Sequence, residues 1–379
     1  MSLLLGIVCL TVSGLFLNRA KNTLPYNVVS GLLLMAFAQV VELRELSELV
    51  NLSLCAVFIC AGMGVSKRSK ASGTLFLYSL LQYTMQWSLG IGIYLLVFEY
   101  FKTGPIVALV APAGLAGGHG SAAFLGEVLK QEGHMMAYDK LMFCATVGVV
   151  IAVVGQIFFS KNKSVRFEAF SLGRFHSSAK TLIVVSGMCA LSYFTSKLIF
   201  HILGVAIPYF IFGFLISLLA RPVIKLSSSE CGGVSNFSSD LLITFGIASI
   251  KWNAVKEDVF AILVVIALTL ATSVVLFKKL GLRLFKNDSE LVGLFTWGWS
   301  MAGIAISMGG IKSIDTVKAQ RAMEMFAPVY MLIAPIEMGI LLLAPFLLDS
   351  FYMKLSLLVF GPVSLAIILK LHRQVVESA

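Results

Sequence analysis

The chain alternates between long apolar runs and short polar segments. Runs of about the 20 residues needed to cross a bilayer recur throughout, for example Thr74 to Phe98, Leu141 to Phe159 and Val259 to Phe277. They lack the polar alternation typical of a barrel strand, and in lipid a helix is the other structure that satisfies its own backbone. The pattern therefore predicts an all-α integral membrane protein with about ten or eleven spans.

Composition agrees with this class, because 58% of the residues are hydrophobic, 13% are charged and the mean hydropathy is +0.93. The net charge of +10 does not indicate nucleic-acid binding, since the basic residues cluster between apolar runs. Fourteen of the 29 basic residues fall in four segments: Arg19 and Lys21; Lys67, Arg68 and Lys70; Lys161, Lys163, Arg166, Arg174 and Lys180; and Lys278, Lys279, Arg283 and Lys286. We expect these segments in the cytoplasm and the N-terminus outside.

Segments of the first half recur in the same order in the second half. LPYNVVSGLLL, which begins at Leu24, corresponds to IPYFIFGFLIS from Ile207, an offset of about 183 residues, and FICAGMGV corresponds to FGIASIKW. If each repeat has five spans and one shorter element, the second repeat enters the membrane from the opposite side. The predicted organisation is a first inverted repeat at 1–160 with a re-entrant segment at 105–129, a cytoplasmic linker at 161–180, a second repeat at 181–350 with a re-entrant segment at 290–311, and an extra helix and tail at 351–379.

The stretch AGLAGGHGSAAFLGEVL, from Ala113 to Leu129, interrupts an otherwise apolar region. Gly117, Gly118 and Gly120 favour a non-helical tip, with Ser121 as the N-cap of a helix over 122–129. Free amide groups at such a helix start bind carboxylates. The corresponding stretch of the second repeat offers Gly298, Ser300, Gly303 and Ser307, so two broken elements are expected to meet around an anion. The alternative is that these small residues only pack helices together.

Other polar residues inside apolar runs are weaker candidates. Glu337 is a possible coupling site for H⁺ or Na⁺, because a carboxylate in lipid needs a proton or a cation; it could equally be a neutral, hydrogen-bonded acid. Trp299 and Trp297 could line a pocket or anchor an interface. His119 alone is more often a packing residue than a ligand.

The motifs LPYNVVSGL, MQWSLGIGI (Met85 to Ile93), LAGGHGSAA (Leu115 to Ala123) and CATVGVV (Cys144 to Val150) resemble those of the bacterial sodium/glutamate symporter family. The resemblance spans most of residues 15–350. It implies an elevator-type symporter of the bacterial inner membrane, a homodimer that moves an amino-acid dianion with Na⁺. Carried over by position, it places Gly117, Gly118, His119, Gly120 and Ser121 in the first re-entrant motif and Gln86 in the preceding span.

The second motif departs from the family's pattern, since Gly298, Trp299, Ser300, Gly303 and Ser307 stand without a second histidine or a proline. We expect a Na⁺-coupled symporter of glutamate or a related small carboxylate, with membrane lipid and a second copy of the chain as its other partners. The alternatives are an H⁺-coupled transporter of another small anion and a receptor or scaffold that does not transport. An enzyme is not expected, because phosphate-binding and paired-histidine metal motifs are missing from the sequence, and no cofactor is predicted beyond the coupling ion.

Overall fold

The structure is a computed structural model. It describes residues 2–19, 25–38, 46–64, 73–101, 104–159, 171, 175–203, 209–226, 228–285, 288–303, 307, 311 and 316–377. Most of the predicted linker at 161–180 and most of the basic segments used to predict topology lie outside these residues. The described part is helical and contains no strand, so the all-α class is confirmed there.

The described residues of the first half form six α-helices, which end where polar segments or glycines begin in the sequence. They are α1 (Ser2–Arg19), α2 (Tyr26–Ala38), α3 (Leu46–Gly64), α4 (Gly73–Phe101), α5 (Gly118–Gln131) and α6 (Ala137–Phe159). A 3₁₀ turn, Pro105–Leu109, and a π-helix, Val110–Ala116, come between α4 and α5.

The second half begins at α7 and contains both the longest helix and several short ones. Its helices are α7 (Ala179–Leu203), α8 (Tyr209–Ala220), α9 (Ser228–Ala248), α10 (Trp252–Lys256), α11 (Val259–Leu276), α12 (Leu282–Leu284), α13 (Ser289–Ala302), α14 (Thr316–Asp349) and α15 (Phe351–Glu377). A π-helical segment, Phe277–Gly281, joins α11 to α12. Helix α15 occupies most of the predicted C-terminal segment at 351–379, whereas its status as an addition to the two repeats stays a prediction.

Within the described residues, three segments have both the length and the composition of a membrane span: Ala137–Gln156, Ala179–Ile202 and Val259–Leu284. Shorter apolar helices include Ser2–Asn18, Tyr26–Ala38 and Tyr209–Ala220. Membrane association is therefore supported, whereas the total of ten or eleven spans stays a prediction.

The helices form two compact units, and each unit draws on both predicted repeats. Unit 1 comprises Met1–Lys67, Gly126–Met135 and Phe167–Ile250, and unit 2 comprises Arg68–Leu125, Met136–Arg166 and Lys251–Ala379.

In unit 1, α2 packs against α1 and α9, α8 packs against α7 and α3, and α3 also packs against α9. A buried polar cluster holds α2 to α9: Tyr26 Oη and Asn27 Nδ2 donate to the two carboxylate oxygens of Asp240 at 2.5 and 2.8 Å. Thr244 Oγ1 donates to the carbonyl of Asn27 at 3.2 Å. A buried carboxylate that accepts several hydrogen bonds joins its donors firmly.

In unit 2, α15 packs along α4, and Ser88 of α4 bonds to two backbone groups of α15. Ser88 Oγ donates to the Leu357 carbonyl at 2.8 Å and accepts from the Gly361 amide at 2.9 Å. These two backbone groups are four residues apart in α15, and Gly361 comes one residue before Pro362, which lies inside the helix. Insertion of a side chain beside a proline is a recognised cause of helix bending.

Polar and aromatic contacts join different helices at the two ends of α6. At its start, Lys140 Nζ lies 2.6 Å from Asp258 Oδ2, and Asp139 Oδ1 accepts from the Lys251 amide at 2.8 Å. At its end, the ring of Phe159 packs edge-on against that of Phe277, with centroids 5.5 Å apart. The start of α6 thus lies beside the 251–258 segment, and its end lies beside the end of α11.

We expect the buried Lys140–Asp258 pair to be important for stability, since both side chains are less than a tenth exposed. Lys140→Ala leaves the Asp258 carboxylate buried without its counter-charge, a loss of about 3–5 kcal/mol that a thermal melt in detergent would detect. The exposed Arg321–Asp288 pair is the control, and Arg321→Ala should cost less than about 1 kcal/mol. Equal melting temperatures for the two variants would contradict this expectation, whereas recovery in Lys140→Met/Asp258→Leu would support it.

Candidate functional site

The first helix break lies at Gly117–Gly118, within the predicted tip, whereas Gly120, predicted in the same tip, lies in helix α5. The π-helix ends at Ala116, and the Gly117 amide donates back to the Pro112 carbonyl at 3.2 Å. Gly118 then has φ of +59°, a left-handed conformation that glycine adopts without the penalty of a Cβ atom. The chain thus changes direction at Gly117–Gly118 before α5 continues.

The predicted N-cap at Ser121 is wrong, because α5 begins at Gly118, three residues earlier. The Ser121 amide already donates towards the Gly117 carbonyl, at 3.5 Å, and its hydroxyl reaches another helix instead of an α5 amide. Glycine with positive φ starts this helix in place of a serine cap. The first amides of α5 still have no intrahelical acceptor, as at any helix start.

The second helix break lies at Gly303. Helix α13 ends at Ala302, and Gly303 has φ of +82° and ψ of 176°. The Gly303 amide donates to the Trp299 carbonyl at 3.0 Å, and the Gly303 carbonyl accepts from the Ser307 amide at 3.2 Å. Helix α13 therefore ends at this glycine, and the next described residue, Ser307, bonds back to it; residues 304–306 and 308–310 lie outside the described part.

The two breaks touch each other. A Cβ atom on Gly118 would lie 2.5 Å from the Ala302 carbonyl oxygen, and one on Gly303 would lie 3.5 Å from the Gly117 carbonyl oxygen. Gly148 of α6 approaches the Met301 carbonyl just as closely from another side. The carbonyl end of α13 thus meets the amide end of α5, and at Gly118 the approach leaves no space for a side chain.

Ser121 connects the first break to Glu337 of α14. Ser121 Oγ donates to Glu337 Oε1 at 3.3 Å, and the Glu337 side chain is only 5% exposed. Gly117, Gly120 and Ser121 are partly exposed, whereas Gly118 is buried. The accessible part of the break is therefore a short strip of backbone and one hydroxyl, with a buried carboxyl group behind it.

His119 faces away from this strip. It is buried, and its Nε2 lies 3.3 Å from Thr146 Oγ1 on α6, which itself donates to the Met142 carbonyl. The histidine thus joins α5 to α6, which agrees with the packing alternative for its side chain.

The polar residues of the second stretch are mostly used within the protein. Ser300 Oγ donates to the Trp297 carbonyl at 3.0 Å, and Ser307 Oγ donates to the Phe295 carbonyl at 2.7 Å. Gly298 is buried, and a Cβ atom there would lie 2.7 Å from both Gln156 Nε2 and Ser307 Cα. These residues hold the second break together, and the break's contribution to a ligand site is chiefly its backbone.

The two tryptophans are also buried. Trp297 Nε1 donates to the Ala152 carbonyl at 3.3 Å, and its ring lies 5.1 Å from that of Phe159. Trp299 is 4% exposed. Both rings therefore lie inside unit 2 and pack as core residues.

Two glutamines donate into the second stretch. Gln86 Nε2 of α4 donates to the Ser300 carbonyl at 2.7 Å, and Gln156 Nε2 of α6 donates to the Ser307 carbonyl at 3.0 Å. Within the described residues, the Oε1 atom of each is buried without a hydrogen-bond partner. Gln156 is not among the residues predicted from the sequence. An amide side chain deep in an apolar run nevertheless indicates a polar contact inside the protein.

Both oxygens belong to side chains that bond to the second stretch, and oxygen atoms of this kind could serve an alkali cation. Among the described residues there is no group of three or more His, Cys, Asp or Glu side chains suited to a transition metal. A separate apolar cavity of about 650 Å³ lies inside unit 1, lined by residues such as Leu52, Leu182 and Phe245, and it contains none of the predicted site residues.

In comparisons with known protein families and with curated protein sequences, the chain gives no match.

A glycine series separates backbone strain from steric contact at the breaks. Gly118→Ala combines a left-handed φ, worth about 1–2 kcal/mol, with the contact to Ala302, and should lower the melting temperature most. Gly133 also has a positive φ, of +96°, but a Cβ atom there would meet no other atom within 4 Å. Gly133→Ala should therefore lower the melting temperature less than Gly118→Ala does. Gly187→Ala lies in a helix with open space and should be neutral or slightly stabilising. If Gly118→Ala melts no lower than Gly133→Ala, the close contact does not constrain the fold.

Proposed function

We propose that the protein is a secondary active transporter, a symporter that couples Na⁺ to the movement of glutamate or a related small carboxylate. The observation that carries the proposal is the contact of the two helix breaks at Gly118 and Gly303. Paired broken helices are the usual means by which transporters present unpaired backbone groups to substrate and ion.

The amide end of α5 suits an anion. Its first N–H groups lack intrahelical acceptors, and the partial positive charge of a helix start favours a carboxylate. Gly120 and Ser121 are partly exposed, so a ligand can approach the backbone without a large side chain in the way. The Ser121 hydroxyl adds a donor at the same place.

The carbonyl end of α13 suits the coupling cation. The last carbonyls of a helix carry a partial negative charge, and α13 ends at Ala302 beside the first break. Gln86 Oε1 is an additional acceptor near Ser300, without a partner in the described part of the chain. Opposite helix ends therefore offer donors and acceptors close together, which favours joint binding of an anion and a cation.

The packing of unit 1 supports the inverted repeats. By sequence, α2 corresponds to α8, and α3 corresponds to α9. In the structure α2 packs against α9. The counterpart of α2, which is α8, packs against the counterpart of α9, which is α3, so the two contacts are equivalent. The α1–α2 contact of the first repeat likewise corresponds to the α7–α8 contact of the second repeat. Equivalent pairs of contacts are expected for two copies related by an approximate two-fold axis.

Contacts in unit 2 support opposite orientations of the repeats. The charge pattern assigns Asp139 to the outside and Lys278–Lys279 to the cytoplasm. The 251–258 segment contacts Asp139 and Lys140, and should lie outside, whereas its counterpart in the first repeat is the basic Lys67–Lys70 segment. The remaining parts of the proposal, an elevator-type movement and a homodimer in a bacterial inner membrane, come from the family resemblance alone.

Reconstituted uptake tests the proposal directly. Proteoliposomes containing the full chain would be supplied with a panel of amino and dicarboxylic acids, and Na⁺ and H⁺ gradients would be imposed one at a time. We expect concentrative uptake of at least one carboxylate. Binding of a panel compound without uptake would favour the receptor or scaffold alternative.

Ser121→Ala should weaken uptake by about tenfold to a hundredfold, because a hydrogen bond to a charged ligand contributes about 1.5–3 kcal/mol. Because the substitution also removes the hydrogen bond to the buried Glu337, uptake is compared per amount of folded protein recovered in detergent. Ser186→Ala, at an exposed serine of α7, is the matched control and should leave uptake unchanged. Equal uptake by both variants would remove Ser121 from the site.

Cysteine labelling tests the topology. Asn253→Cys in α10 and Lys279→Cys after α11 both place a thiol at an exposed position, whereas the native cysteines are buried. A membrane-impermeant maleimide should label Asn253→Cys in intact cells and Lys279→Cys only after permeabilisation. Labelling of both variants from the same side would contradict the predicted topology.

A further inference from the structure

Glu337 shares its hydrogen bond with the place where the anion is expected. Ser121 Oγ donates to Glu337 Oε1 at 3.3 Å, and Ser121 is also the side-chain donor at the start of α5. A serine hydroxyl has one proton to donate and two lone pairs that accept. The same hydroxyl therefore cannot donate to Glu337 and to a bound carboxylate at once.

Within the described residues, Glu337 forms no ion pair with a basic side chain. Helix α14 packs against α4, α13 and α15, and touches α5 through Ser121. The titratable side chains described on those helices are Tyr78, Tyr83, Tyr94, His119, Glu127, Lys130, Glu290, Lys354 and Lys370. His119 bonds to Thr146, and Lys354 lies over the ring of Tyr94. On α14 itself, Arg321 pairs with Asp288. Ser121 is the single partner that Glu337 has within the described residues.

Given the proposed function, on which this step depends, we propose that Glu337 takes up a proton when the anion binds at the first turn of α5. The carboxylate Glu337–COO⁻ and one H⁺ from water give Glu337–COOH, and the O–H of the acid then donates to Ser121 Oγ. The Ser121 proton turns to the bound anion. When the anion leaves, the proton returns to water and Ser121 donates to Glu337 again.

The alternative, an ionised Glu337 beside a bound carboxylate, places two negative charges around one donor in a buried site. Two carboxylates that share one hydrogen-bond donor lie close together, and where water is excluded their repulsion strongly disfavours a state in which both are ionised. A protonated Glu337 removes the repulsion and also supplies the missing donor. Binding of the anion and binding of the proton therefore assist each other, so a proton travels with the substrate.

Binding measurements across pH test the linkage. L-Glutamate and glutarate are used as probes with the purified full chain between about pH 6.5 and 8.5, where neither probe changes its carboxylate charge. The Kd of both should rise with pH, approaching tenfold per pH unit at the alkaline end. Glu337→Gln, whose amide can donate to Ser121 as the acid does, should bind with a Kd that changes less than about twofold over the range.

His119→Gln is the control for the other titratable group near the break, and it should keep the pH dependence. The proposal would be overturned if the Kd still rose with pH in Glu337→Gln but no longer did so in His119→Gln. So would tighter binding of L-glutamate alone at high pH, since that result assigns an ionised Glu337 to the substrate's ammonium group.

A second measurement requires no variant. In proteoliposomes with a trapped pH-sensitive dye, inward transport of either probe should acidify the lumen. Uptake that neither acidifies the lumen nor depends on pH overturns the proton linkage and leaves the transport proposal intact. Absence of uptake for the whole panel of carboxylates, in contrast, overturns the transport proposal itself.

Discussion

The contact between the carbonyl end of α13 and the amide end of α5 is the constraint on which the candidate site depends. Backbone groups without helical partners are tolerated in an apolar surrounding only where protein, water or a ligand satisfies them. Such groups can approach this closely only if no side chain stands between them, and a Cβ atom on Gly118 would lie 2.5 Å from the Ala302 oxygen. Glycine at 118 and 303 therefore makes the site possible.

The surrounding helices stabilise this contact through side chains that bond to backbone. Gln86 and Gln156 donate to carbonyls on either side of Gly303, and His119 joins the start of α5 to α6. Because the polar groups of the second stretch are already hydrogen-bonded within the protein, the start of α5 is the more accessible part of the candidate site. A ligand would consequently meet mostly backbone amides and Ser121 in the first stretch, and carbonyl oxygens in the second.

Local pattern predicts those features that depend on local chemistry. The apolar runs predict the helices, and the glycine clusters predict breaks that occur at Gly117–Gly118 and Gly303. The start of α5 was misplaced because cap preferences favour a serine, whereas a glycine with positive φ begins the helix. The roles of Gln156 and of the Lys140–Asp258 pair could not be foreseen, since each depends on which distant helices become neighbours.

The Ser121 hydroxyl can donate only one hydrogen bond, and this limits how the candidate site can bind an anion. Within the described residues, Ser121 is both the one hydrogen-bond partner of Glu337 and the side-chain donor at the start of α5, and its hydroxyl has a single proton. Any anion that takes that proton leaves the Glu337 carboxylate without a donor, in a position that is 5% exposed. A buried carboxylate in that state must gain a proton or a cation. In the proposed transporter, the choice of coupling ion would therefore depend on the same hydroxyl that contacts the substrate, and this linkage would need no change in the positions of the helices.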